Sequence, residues 1–157
     1  MKNSEYFMRL AIREARINLK TLDGGPFGAV IIRDGRVLAA GRNTVLRKDA
    51  SSHAEINAIR AASESLGTYD LSSCAIFSTT EPCPMCFSAI HWARIDRLYF
   101  GTEISDSAGL GFNEMPISNK TLAGMGGSPV KIFPGFMRDE CLKILSDWDR
   151  LEEKVIY

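Results

Sequence analysis

The sequence has no excess charge of either sign: 19 Lys and Arg are matched by 19 Asp and Glu. A chain so balanced presents no global field to a polyanion, so contact with RNA has to come from a local patch. Long apolar runs are missing too. The opening MKNSEYFMRLAIREAR breaks its hydrophobic residues with charge, and no stretch approaches the roughly 18 continuous apolar residues of a membrane span. No export signal is evident, so a cytoplasmic location is expected, with no membrane partner. Repeats, linkers and low-complexity tracts are lacking. At 157 residues the chain can close one sizeable core but has little room for two, and a single domain over residues 1–157 is expected. Histidine is scarce, with two in all, and cysteine is limited to Cys74, Cys83, Cys86 and Cys141. Four cysteines could form two disulfides, but a chain of this length without an export signal does not need such staples. The close pairing of Cys83 with Cys86, taken with His53, reads better as metal ligation in a reducing compartment.

What is present is a regular alternation of elements. From Ser4 to about Leu22, Met8, Ile12, Ala15, Leu19 and Leu22 recur at helical steps and predict one apolar helix face. DGGPFG stops that helix. AVIIRDGRVLAAG gives two apolar runs around Asp34-Gly35, the pattern of an antiparallel hairpin. His53 opens a second helix with Ile56, Ile59 and Ala62 on one side and Gly67 as its stop. CAIFSTT predicts a buried strand. EPCPMCFSAIHWAR turns at once into a helix, with Pro84 suited to the first helical position, and RLYFG is the next strand. Between Thr102 and Ser128 the periodicity is broken, although SNKTLAG fits a helical turn. PVKIF adds an edge or adjacent strand, and Cys141, Ile144, Leu145, Trp148 and Leu151 line a terminal helix. Hairpin, helix, strand, helix, strand is the order of an α/β layer with a mixed sheet.

Cys83 and Cys86 at a helix start turn their sulfurs toward one point, where free N–H groups and the helix dipole favour thiolates. His53 can add a nitrogen. One nitrogen and two sulfurs suit zinc, one per chain, and three protein ligands leave a fourth tetrahedral position for water. Taken singly, a Cys-x-x-Cys pair is weakly specific and a lone histidine is more often a hydrogen-bonded side chain. Together, His-x-Glu and Pro-Cys-x-x-Cys form the signature of zinc deaminases. Glu55 then has a reason to stand beside the metal without binding it. Zinc lowers the pKa of water from about 16 toward about 7, but hydrolysis must also carry protons to a ring nitrogen and to departing ammonia, and a carboxylate does that. A non-catalytic alternative is a closed zinc-supported interaction domain. It would need a fourth protein ligand, and His91 within AIHWAR is the other histidine.

HAEINAIR, EPCPMC, AIHWARIDRLYFG and GGPFGAVI resemble successive pieces of the cytidine-deaminase-like superfamily, over nearly the whole chain. The resemblance implies a three-layer α/β/α sandwich around a mixed five-stranded sheet, assembled as a homodimer or higher oligomer. It carries the zinc-ligand role to His53, Cys83 and Cys86 and the proton-shuttle role to Glu55, and EPC suggests that the Cys83 backbone helps place the incoming group. GGPFGAVI looks most like the bacterial guanine deaminase branch, implying that Phe27 lies against a purine and Asn43 binds its polar edge; core packing and turn capping are the alternatives for these two. In ISDSAGLGFNEM, Glu114 holds the acidic position of that branch with a longer side chain than usual. KVIY resembles a tail that closes a site, its own or a partner's, through Tyr157, the alternative being an ordinary terminus. Guanine to xanthine plus ammonia is therefore the expected reaction. A transfer-RNA adenosine deaminase, to which VKIFPGFMRDECLKILSDWDR is similar, is the runner-up, followed by cytosine or another small aminated heterocycle.

Overall fold

The computed structural model describes residues 3–157. Helix α1 (Ser4–Thr21) leads into the hairpin of β1 (Gly28–Arg33) and β2 (Arg36–Arg42), followed by a single 3-10 turn at Val45–Arg47. Helix α2 (Ala54–Leu66), strand β3 (Ala75–Thr80), helix α3 (Pro84–Trp92) and strand β4 (Arg97–Thr102) come next. Two short helices, α4 (Ile104–Gly109) and α5 (Asn119–Gly126), precede strand β5 (Lys131–Phe133) and helix α6 (Arg138–Asp149). The segment whose periodicity is broken thus contains two helices, of which SNKTLAG supplies most of α5.

The five strands lie in the order β2-β1-β3-β4-β5. β1 is antiparallel to both β2 and β3, whereas β4 runs parallel to β3 and β5 parallel to β4. The turn between β1 and β2 puts Asp34 and Gly35 at φ 51° and 73°, the left-handed pair that matches the twist of a two-residue hairpin. Successive residues of β1 serve opposite faces. Ala29 and Ile31 join a core with residues of α2 and α3, while Val30 and Ile32 join a second core with Phe7, Met8, Ala11 and Cys141. Helices therefore cover both faces, giving the expected three-layer sandwich around a mixed five-stranded sheet.

Two predicted helix faces are rotated. The buried stripe of α1 is Phe7, Met8, Ala11, Ala15 and Asn18, so Met8 and Ala15 are inside but Ile12, Leu19 and Leu22 are only half-buried. In α2 the buried residues are Ala54, Glu55, Ala58 and Ala62, and Ile56 and Ile59 lie at the margin. Close approach explains the second case. A Cβ added at Gly41 of β2 would stand 2.6 Å from the Ala54 carbonyl oxygen and 2.7 Å from the Ala58 nitrogen, so only small residues fit where α2 crosses the sheet. On α6, Cys141, Ile144, Leu145 and Trp148 are buried as expected, while Leu151 falls beyond the helix end and is half-buried. Among the described residues no helix is long and apolar enough to cross a membrane.

Candidate active site

Two helix starts converge where the parallel strands end. β3 finishes at Thr80, and Glu81-Pro82-Cys83 passes directly into α3, with Cys83 capping the helix and Pro84 in its first turn. His53 likewise caps α2. The antiparallel β1 begins here too, since Gly28 N–H donates to Thr79 Oγ1 at 3.1 Å. This is the carboxyl edge of an α/β sheet, where such folds build their sites.

His53, Cys83 and Cys86 each present a ligand atom, all within 4.8 Å of one another, and His53 Nδ1 is 3.6 Å from Cys83 Sγ. A single ion with bonds of about 2.0–2.3 Å can satisfy that spacing. All four cysteines are free thiols, which removes the disulfide reading. A hydrogen bond from Cys86, reinforced by His53, pulls the Cys83 thiol down to about 4, while the same contact and burial push Cys86 well above its ordinary value. Ligation needs both sulfurs as thiolates, so a dication binding here would displace whatever proton they retain. Burial opposes charge on His53, but its bond to Cys83 and the nearby Glu55 raise its pKa overall. The donor set fits zinc. Among the described residues the cluster has no fourth side chain, and His91 stands elsewhere, its Nδ1 2.9 Å from Ser128 Oγ. A closed structural site is not what these residues form.

Glu55 is 6% exposed, in the first turn of α2. Ser78 Oγ is 2.8 Å from its Oε1 and also 2.7 Å from the Thr80 carbonyl oxygen. Burial lifts the Glu55 carboxyl above its usual range, with His53 pulling the other way. A carboxyl shifted in that direction holds a proton more readily than an ordinary glutamate, which suits a proton carrier.

The cavity over these groups measures about 180 Å³ and is walled in part by Phe27, Asn43, Glu114 and Tyr157. The structure thus brings all four sequence-predicted contact residues into one chamber with His53, Glu55 and Cys83. Phe27 is half-buried and meets Phe112 edge-on with ring centroids 5.2 Å apart. Asn43 caps the local turn, accepting the Val45 N–H on Oδ1 at 3.1 Å, and the same oxygen accepts the Tyr157 hydroxyl at 2.8 Å. Ser107 Oγ donates to Glu114 Oε1 at 2.9 Å, and burial raises the Glu114 carboxyl above its usual range despite that bond. Tyr157 reaches the cavity of its own chain, and burial pushes its phenol up to about 12. A larger hollow of about 910 Å³ lies at the opposite edge of the sheet, between Tyr69, Trp92 and Lys131; it holds no metal-ligating cluster, and size does not make it the site.

Sequence reasoning missed several supporting residues. Asn119 and Glu81 anchor the loop before Cys83: Asn119 Nδ2 donates to the Pro82 carbonyl at 2.6 Å, and Glu81 Oε1 accepts the Asn119 N–H at 2.8 Å. Asn57 ties α2 to the strand exit by donating to the Arg42 carbonyl at 2.9 Å. Ser78 and Asn18 were equally unread. Buried polarity was the available signal only for those on strands or helices whose neighbours are apolar.

The fold, the His/Cys/Cys centre and the buried glutamate define a zinc-dependent hydrolytic deaminase. Residues 1–102 match the model of the cytidine and deoxycytidylate deaminase zinc-binding region, and the chain belongs to that family. It is 42% identical over 113 residues to the guanine deaminase of Bacillus subtilis (strain 168), covering 71% of this chain and 72% of that protein. It is 45% identical over 104 residues to the tRNA-specific adenosine deaminase of Agrobacterium fabrum, covering 66% of this chain and 68% of that one. The solved guanine deaminase from Nitrosomonas europaea superposes with a TM-score of 0.85 at 29% identity, over 94% of this chain and 85% of that chain.

Proposed function

We propose that this chain hydrolyses guanine to xanthine and ammonia, with residues 1–157 acting as one catalytic domain. The observation that carries the substrate is the convergence of Phe27, Asn43 and Glu114 on one cavity beside Glu55 and the metal ligands. At about 180 Å³ the chamber is smaller than the roughly 300–1,000 Å³ that drug-sized ligands occupy, which suits a single heterocycle. Phe27 supplies an apolar surface for a flat ring. The Asn43 amide, its oxygen already committed, donates to the acceptor edge of the purine, and Glu114 accepts from its ring and amino N–H groups. Desolvating Glu114 is costly unless such donors engage it.

His53, Cys83 and Cys86 would hold the zinc. When bound, it supplies the Lewis acidity that makes water a nucleophile near neutral pH. As a water oxygen bonds to the amino-bearing carbon, Glu55 would take one of its protons to the adjacent ring nitrogen and then carry the second to the departing amino nitrogen. The atoms balance: one water is consumed, the carbon–nitrogen bond breaks, and ammonia leaves. Ser78 keeps a donor on Glu55 Oε1 while the carboxylate is charged.

The 45% identity to a tRNA-specific adenosine deaminase supports a second reading, in which the base belongs to an anticodon loop. One panel separates the two. Ammonia is followed from guanine, cytosine, adenosine, aminated triazines and an anticodon stem-loop, and the best substrate is then tested with Glu114→Gln. Guanine is expected to win and to lose efficiency in the variant. Turnover of the stem-loop without guanine would select the RNA reading, and preference for another free heterocycle would keep the base deaminase and reject guanine. A cytoplasmic homodimer completes the proposal, on the strength of the family resemblance; a monomer across a concentration series in sedimentation would reject that assembly.

A further inference from the structure

Asn18 is fully buried near the end of α1. No part of it borders the active-site cavity, and both of its amide donors nevertheless go to backbone carbonyls of the segments that carry Phe27 and Asn43. One amide N–H goes to the Gly25 carbonyl at 2.8 Å and the other to the Asn43 carbonyl at 2.7 Å. Its Oδ1 accepts the Thr21 hydroxyl at 3.2 Å. Gly25 also receives Phe27 N–H on the same carbonyl at 2.8 Å, and Asn43 N–H returns to the Phe27 carbonyl at 3.1 Å. The backbones that carry the Phe27 ring and the Asn43 amide are thus joined through one buried side chain.

The same two backbones are bridged again from the cavity side. Tyr157 Oη accepts the Gly25 N–H at 2.8 Å and donates to Asn43 Oδ1 at 2.8 Å. The Tyr157 brace stands at the cavity and is half-buried, whereas the Asn18 brace is fully buried. An amide is the side chain that suits the buried position, because it offers two donors at a fixed angle to two carbonyls. An aspartate would face both carbonyls with a charge, and an apolar residue would strip the Asn43 carbonyl of its amide donor and leave Gly25 only the Phe27 N–H.

We infer that Asn18 is a positioning residue for substrate binding: it sets the separation between the Phe27 ring and the Asn43 amide, and through them the fit of the base, without touching substrate or metal. This rests on the base-binding reading above. It predicts a loss confined to binding, because Glu55, His53 and the cysteines are held by α2, β3 and α3 and have no bond to Asn18.

The test uses the full-length zinc-loaded protein and whichever free base or nucleic acid the wild type turns over best. That choice makes failure of the guanine reading visible in the wild type alone, separate from the ratio of variant to wild type. Asn18→Ala should raise KM at least tenfold, leave kcat within about threefold, and retain one zinc per chain. Asn18→Ser, which restores one donor, should fall between Asn18→Ala and wild type. Unchanged KM in Asn18→Ala would overturn the assignment, as would equal losses in kcat and zinc. Failure of both variants to fold would overturn it too, since the amide would then be a requirement of the fold and not of the pocket.

Discussion

Ser78 and Glu55 share a hydroxyl proton that has two places to go. Ser78 Oγ lies 2.8 Å from Glu55 Oε1 and 2.7 Å from the Thr80 carbonyl oxygen, and it has one hydrogen to give. While Glu55 is ionised the serine donates to it; when Glu55 carries a proton the serine accepts and turns to Thr80. Hydrogen bonds to charged groups contribute about 1.5–3 kcal/mol. Ser78→Ala should therefore lower kcat roughly 10- to 100-fold, with KM and zinc content close to wild type. Steady-state kinetics beside metal analysis tests this, and a defect confined to KM would contradict it.

Glu55→Gln removes the proton carrier while keeping its size. General acid–base catalysis is worth about 100- to 10,000-fold, so ammonia release should fall by that order. The variant should fold and bind zinc as before, because Glu55 is not one of the three ligand-bearing residues. Turnover comparable to wild type would reject the proposed role.

Zinc removal should separate chemistry from fold. Chelation is expected to release one zinc per chain and abolish deamination, and re-addition of zinc should restore it. None of the three ligands belongs to either core, and only Ala54 and Phe87 of the first adjoin His53 and Cys86 in sequence, so far-ultraviolet circular dichroism should persist without metal while the melting temperature falls. Activity that survives complete removal of zinc would refute the metal assignment.

The metal ligands were legible because the information is local. His53 and Cys83 each cap a helix, and spacing along a cap fixes where a side chain projects. The alternation of hairpin, helices and strands was legible for the same reason. Helix faces were less so. Hydropathy placed Ile12 and Leu19 inwards on α1, but two carbonyls drew Asn18 to the interior, and no apolar pattern announces a buried amide. On α2, the close approach at Gly41 selected Ala54 and Ala58 over Ile56 and Ile59. Glu114 and Tyr157 were named through resemblance, and only the path of the loop after α4 and of the tail brings them to the cavity.

Tyr157→Phe keeps the ring against Phe112, 5.4 Å between centroids, and removes only the hydroxyl shared by Gly25 and Asn43. KM should rise severalfold with kcat little altered. The phenol is pushed up to about 12, so it stays protonated throughout the working range, and the pH profile of kcat/KM should keep its shape in the variant. Loss of an alkaline limb below pH about 10, the ordinary tyrosine range, would show that the tyrosine titrates and would contradict its burial.

Asp23 gives the clearest acid dependence of stability away from the metal. Its carboxylate accepts Arg47 Nε at 2.7 Å and an Arg42 guanidinium nitrogen at 3.1 Å, and these partners, Arg47 foremost, hold its pKa below the ordinary carboxylate value. The pairs tie the segment after α1 to the exit of β2 and to the 3-10 turn, whose Val45 lines the cavity. Because the folded pKa is depressed, the contribution is complete above the unfolded value of about 3.9 and is lost as pH falls through the folded value. Asp23→Asn should therefore lower the melting temperature by about 2–4 °C at pH 7, a modest figure because Arg47 is largely exposed and its pair is screened. The gap between wild type and variant should stay constant from pH 8 to about 5 and close below about 4. Thermal unfolding of the zinc-loaded proteins across that range measures it. A gap that persists undiminished to pH 2 would show that Asp23 acts through packing or neutral hydrogen bonds and not through its charge.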